Sequence, residues 1–282
     1  MRKFTAILIV FLFCFVSSLS LALTQDAPGR GLFMTVDATE SRSVPPIPQQ
    51  IGTERTRLVQ INTSALALAD ASRGLGRVPD DPGILLNLFD DQAFLAINET
   101  ITARPSGKSG YVWTGILAND PYSTVILVID GSGVTGRVMQ TSKTYYISPL
   151  VNGLHVVSQI NPAIGHAEFE GDAVIAPRIQ PVPPAPNAPQ FSDTGDIIDV
   201  MVVYTPAAET YFGGVTATEA AVDEMVTLTN TSYANSSVNQ RIRLVHVGTI
   251  AYVEQPQPDY LADLNNITRM SDGYMDDVHA LR

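Results

Sequence analysis

The 282-residue chain has a single cysteine, Cys14. It lies inside an unbroken apolar run, Ala6 to Val16, next to Arg2 and Lys3 and ahead of Ser17, Ser18 and Ser20. A short basic start, an apolar stretch and small residues at Ser20 and Ala22 are the layout of a cleavable secretory signal over residues 1–22. An uncleaved anchor is the competing reading, and the serines count against it. Cleavage would leave no cysteine, which excludes disulfides, thiolate metal sites and a cysteine nucleophile. The exported chain, secreted or periplasmic, must then be held by core burial alone, and about 260 residues suffice for that.

Basic residues are also scarce. The chain has 17 Lys and Arg against 28 Asp and Glu, for a net charge of -11. Such a surface repels phosphate backbones, so nucleic acid is not an expected partner. No second apolar run is long enough to cross a bilayer, so no membrane association is expected after signal removal. There are only four histidines: His155, His166, His246 and His279. None stands in an H-E-x-x-H pair, the spacing that sets two imidazoles on one helical face around zinc. G-x-S-x-G, G-x-G-x-x-G and the P-loop pattern are missing too. The acidic pairs Asp80-Asp81, Asp90-Asp91 and Asp276-Asp277 read as solvated charge. Sequons stand at Asn62, Asn98, Asn230, Asn235 and Asn266.

What the sequence does contain is a change of period. Residues 23–82 carry Pro45, Pro46 and Pro48 and are expected to be poorly ordered. Residues 83–175 read as short strands at regular spacing, with Asp130-Gly131-Ser132-Gly133 as a hairpin turn. An antiparallel sheet, sandwich or open barrel is expected there. Residues 176–196 hold six prolines between Pro177 and Pro189, a semi-rigid linker.

From residue 197 to 282 the order is strand, helix, strand, helix, that of an α/β domain. Ile197 to Tyr204 reads as a strand covered on both faces, ended by Thr205-Pro206. Thr216 and Glu219 form a capping box, with Ala221, Val222, Met225, Leu228, Thr229 and Tyr233 as the buried helix face. Arg241 to Ile250 is a second strand with Ile242, Leu244 and His246 on one face. Tyr260 to Arg269 and Asp272 to Arg282 read as helices. The last has no C-cap, which reads as a truncation. The fold class expected is α+β: a β-rich antiparallel domain followed by the start of an α/β domain.

The segments IDVMVVYTPAAETYFGG, TEAAVDEMVTLTNTSYANSSVNQRIRLVHVG and SDGYMDDVHALR resemble the opening of reprolysin-like metzincin metallopeptidases of bacterial type. The β region with GYVWTG resembles the pro-regions that precede such domains. The resemblance implies a zinc endopeptidase zymogen acting on protein or peptide substrates. Its three-histidine zinc motif is not among these residues, so no catalytic residue carries over and this stretch alone is expected to bind no zinc and be inactive. The resemblance also implies a calcium site at Asp199, with Asp276 as partner. A solvated strand-end acid is the plainer reading of Asp199. Phe169-Glu170-Gly171-Asp172 matches F-x-G-D, the aspartate switch of the related astacins, which makes Asp172 the candidate latency residue. An ordinary Gly-Asp turn is the alternative. A non-catalytic exported binding or adhesion protein, working through its β domain, is the other reading of the whole.

Overall fold

A computed structural model of the chain describes residues 31–37, 52–70, 83–165, 195–254, 260–269 and 271–281. Nine strands form one sheet: β1 (Phe33–Thr35), β2 (Thr53–Ile61), β3 (Ile84–Phe89), β4 (Gln92–Ala103), β5 (Tyr111–Leu117), β6 (Asp120–Asp130), β7 (Gly133–Met139), β8 (Thr144–Pro149) and β9 (Leu154–Ile160). Their order is β1-β2-β9-β8-β7-β6-β5-β4-β3, and every named pair is antiparallel. The seven strands from β3 to β9 form where alternation and turn chemistry place them.

The expectation of little order over 23–82 is corrected by β1, β2 and α1 (Thr63–Asp70). In β2, TERTRLVQI, polar residues occupy much of the strand, so it lacks the apolar run that marks β3. Arg57 is used rather than exposed, its Nη1 donating to Asn87 O at 2.8 Å.

These early strands close the sheet into a barrel. Gly31 forms a parallel bridge with Leu85, and Leu32 N–H donates to Leu85 O at 2.9 Å. Beside it the Asn87 side chain completes the seam. Its Oδ1 accepts from Phe33 N–H at 2.9 Å and its Nδ2 donates to Phe33 O at 2.6 Å. A Cβ on Gly31 would lie 2.4 Å from Asn87 Oδ1, so the seam needs glycine there. Closure removes the unpaired edges that invite association.

Inside, Leu32, Val59, Leu86, Trp113, Leu127, Val138, Tyr145 and Val157 belong to one core. Along β6, Val125, Leu127 and Ile129 point into it, while Ile126 and Val128 point out. Those outward residues are fully buried, so something covers the outer face.

The cover is α3 (Val215–Asn235), which follows β10 (Ile197–Tyr204) and α2 (Pro206–Phe212). Thr205 does end β10, and it also caps α2, a helix the sequence reading omitted. Its hydroxyl accepts from Ala208 N–H at 3.1 Å, Pro206 stands in the first turn, and Gly213 closes the helix at φ 94°. No capping box forms on α3. The helix starts two residues earlier than that box would set it, behind Gly214, without a side-chain cap.

β10 pairs in parallel with β11 (Arg241–Thr249). The register slips so that Val200 faces Leu244 but Met201 faces His246, leaving Val245 as the extra residue of a bulge. Val247, not His246, therefore joins Ile242 and Leu244 against Val222 and Val226 of α3. The other face of β10 packs Met201 and Val203 with Ile250, Tyr252 and Val278. The start of β10 is open, with Ile197 59% and Ile198 47% exposed, so the two-sided cover expected for the strand reaches only its second half. α4 (Tyr260–Thr268) follows as expected. The expected helix 272–282 shortens to α5 (Asp276–His279), because Gly273 at φ 88° and Met275 at φ 49° make a turn first.

Candidate functional site

Helix α3 lies between two layers. Residues 217 to 224 are buried without a break. No apolar stripe explains that, because Glu219, Asp223 and Glu224 interrupt it. The helix has two covered faces: Val222 and Val226 meet β10 and β11, while Ala220 and Leu228 meet Val112, Ile126 and Val128 of the barrel. Met225, expected in the buried face, is 43% exposed.

The carboxylates are matched by barrel cations. Arg104 follows β4 directly. Its Nε donates to Asp223 Oδ2 at 2.6 Å, and its Nη1 donates to Asp130 Oδ2 at 2.9 Å and Ser109 O at 3.1 Å. Ser106 adds its N–H to Asp223 Oδ1 at 2.7 Å and its hydroxyl to Oδ2 at 2.8 Å. Side-chain exposures are 2% for Arg104, 3% for Asp130 and 0% for Asp223, so this ion cluster is out of water. A second pair joins Arg137 of β7 to Glu224, Nη2 to Oε2 at 3.0 Å, with the guanidinium 4.4 Å above the Tyr146 ring. Burial pushes the Glu224 carboxyl above its ordinary range, and Arg137 only partly offsets that. Lys108 and Glu219 make a rim pair at 3.4 Å.

Behind Asp130 lies His155, 1% exposed. Its Nε2 accepts from Val134 N–H at 3.1 Å, and Nδ1 faces Gly153 O at 3.2 Å, which fixes the neutral tautomer protonated at Nδ1. A Cβ on Gly133, at φ 129°, would meet that Nε2 at 2.3 Å. Burial lowers the His155 pKa to about 4; Gly153 O and Asp130 oppose the shift without cancelling it. An unfolded chain takes up this proton near 6.5, so the neutral ring stabilises the fold fully above that pH. The contribution is lost as pH falls from 6.5 toward 4, and the shift corresponds to about 3 kcal/mol at most. Urea unfolding at pH 7.5 and pH 4.5 should show this loss. His155→Gln, which keeps an acceptor for Val134, should have a flatter pH dependence; equal slopes in both proteins would rule the assignment out.

The sequence-predicted site residues are not gathered here. Asp172 and His166 lie outside the described residues. Asp199 binds Arg243 through both oxygens, at 2.7 and 2.8 Å, and that pairing lowers its pKa. Asp276 Oδ2 accepts from Gly273 N–H at 3.0 Å. Among the described residues no group of three His, Cys, Asp or Glu could hold a metal. His155 has both nitrogens engaged. The described residues thus gather no donor set for calcium or zinc. Sequence reasoning missed Arg104, Ser106, Asp130, Asp223 and Glu224. The signal available was the unbroken apolar run of β6 together with acids inside the apolar stretch of α3, both marks of elements covered on two sides.

The elements after the barrel define the class. Residues 194–274, which include β10, α2, α3, β11 and α4, match the family described as "Metallo-peptidase family M12B Reprolysin-like". The chain thus carries a reprolysin-like metallopeptidase segment, as the motif resemblance implied. The curated relatives it matches are bacterial proteins named "Peptidyl-Asp metalloendopeptidase". One, from Xanthomonas campestris pv. campestris, is 28% identical over 279 residues, covering 92% of this chain and 61% of its own length. Two from Stenotrophomonas maltophilia, strains K279a and R551-3, are 31% and 30% identical over 206 and 210 residues, covering 66% and 68% of this chain. The chain spans 47% and 48% of those two relatives, about half their length.

Proposed function

We propose that residues 31–165 are the pro-region, and residues 195–281 the opening layer of the catalytic domain, of an exported zinc endopeptidase that cleaves beside aspartyl residues. The observation that carries the reading is α3, an element of the reprolysin-like segment whose buried carboxylates are neutralised by cations of the barrel. Such matching is expected of two units that fold and travel together. The Xanthomonas relative supports this, since a match over 92% of the chain takes in nearly all of the barrel as well as the peptidase segment. Its printed name supplies the aspartyl preference, and residues 1–22 supply the export signal. The peptidase match favours this reading over a non-catalytic binding protein.

Zinc belongs to the proposed enzyme through its family; among the described residues no group of three His, Cys, Asp or Glu could hold it. The barrel's part is to keep the precursor latent, with residues 166–194 as the segment cut on activation. Asp172, within that segment, is the proposed latency residue.

The test uses the protein as translated from its gene, assayed on peptides that contain one aspartate. Chelator-sensitive cleavage beside that residue is the expected result. A zinc-loaded protein that leaves such peptides intact overturns the reading. Residues 1–282 alone should cleave nothing, for want of zinc ligands. Asp172→Ala should release activity before the linker is cut; a variant as latent as its parent makes Asp172 a turn residue only.

A further inference from the structure

The ion pairs between barrel and α3 join residues on either side of the linker. Arg104, Ser106, Asp130 and Arg137 lie before residue 166, while Glu219, Asp223 and Glu224 lie after 194. The two bonds that define the cluster join residues 117 and 119 apart in sequence. The receiving pocket is also built from barrel residues alone. Arg104 is fixed by Ser109 O and Asp130, and Asp130 is fixed in turn by Ser132 N–H at 2.8 Å and the Ser132 hydroxyl at 2.6 Å. Asp223 enters a pocket already shaped for a carboxylate, so little ordering is needed on binding. Around it, Ala220 lets the helix approach Val112, Ile126 and Val128 closely, and the Lys108–Glu219 pair forms a polar rim. A buried charged anchor inside an apolar ring, with a wet rim, is the anatomy of a protein–protein interface.

We propose that the outer face of β5–β7, with Arg104 and Ser106, is a docking surface for α3 that outlasts the covalent linker. Cutting between residues 166 and 194 then leaves the barrel bound to the peptidase segment, and a second event must separate them. The proposal takes from the pro-region reading only that the linker is cut. Scission removes the high effective concentration that a tether supplies, so what remains is the intrinsic affinity of the surface.

A site-specific protease site placed within 176–194 of the complete chain tests this. After cleavage the two pieces should elute together in gel filtration at micromolar concentration. They should still do so in 1 M NaCl, because salt screens buried pairs far less than exposed ones. Asp223→Ala strands the Arg104 cluster and should weaken association of the cut pieces at least about 100-fold. If that variant does not fold, Ser106→Ala removes one hydroxyl donor and should weaken it about 10-fold. Asp91→Ala, in the exposed pair with Arg55, should change nothing. Wild-type pieces that elute apart overturn the docking surface, as do cut variants that hold as tightly as the parent. Neither outcome touches the aspartyl-peptide assay, and failure of that assay leaves the co-elution result standing.

Discussion

Arg104→Met should destabilise the uncut chain by about 3–5 kcal/mol, the usual cost of removing one partner from a buried ion cluster. The side chain is 2% exposed and stands between two carboxylates that are 3% and 0% exposed. Without it Asp130 and Asp223 remain side by side in a medium that cannot hydrate them. An unpaired buried charge there is costly. Asp223 keeps its Ser106 donors and Asp130 keeps Ser132, so the loss is one of charge rather than of all hydrogen bonds. Methionine approximates the arginine stem in volume, which limits the packing contribution. Urea unfolding followed by circular dichroism measures the effect. Replacing the acid as well, as Arg104→Met with Asp223→Leu, should recover part of it, because an apolar substitute for a whole buried pair is well tolerated. A shift of less than about 1 kcal/mol for Arg104→Met would mean the cluster is hydrated in solution.

The second large effect is in the barrel core. Trp113 is fully buried among the inward residues. Its ring lies under Gly115, where a Cβ would sit 2.7 Å from Trp113 Cη2 and 2.0 Å from Ile97 O. The indole thus fills the space that the glycine leaves empty. Trp113→Ala should cost about 3–5 kcal/mol, from lost transfer energy and the cavity left behind. Trp113→Phe should cost less. Thermal unfolding checks both, and a Trp113→Ala protein with a near-parental midpoint would show that the barrel repacks around the gap.

How far the sequence foretold this fold depends on the distance over which each feature is decided. Strands β3 to β9 were legible because alternation and the Asp130–Gly133 turn are local. Strand β2 was not, since its arginines are satisfied by partners far along the chain: Arg57 by Asn87 and Arg55 by Asp91. The helix α3 was found, but its faces were assigned from one apolar stripe, which cannot describe a helix covered twice. The β11 bulge displaced His246 because an extra residue resets the period of two. Of the site, the peptidase resemblance was readable from residues 197 onward. The ion cluster was not, because nothing near Arg104 announces a partner at Asp223. Asp199 has a cross-strand partner, Arg243, on the neighbouring strand, which its own segment does not announce.

Placing α3 between the barrel and the β10–β11 pair has a consequence for how the molecule comes apart. One helix contributes side chains to both cores: Ala220 to one, Val222 and Val226 to the other. Neither layer can melt without stripping a face from the element that supports its neighbour. Two units linked only by a proline-rich tether would absorb heat in two separate transitions. Here the layers share a load-carrying beam, and calorimetry should record one transition whose van't Hoff enthalpy equals the calorimetric enthalpy, as for a single cooperative domain.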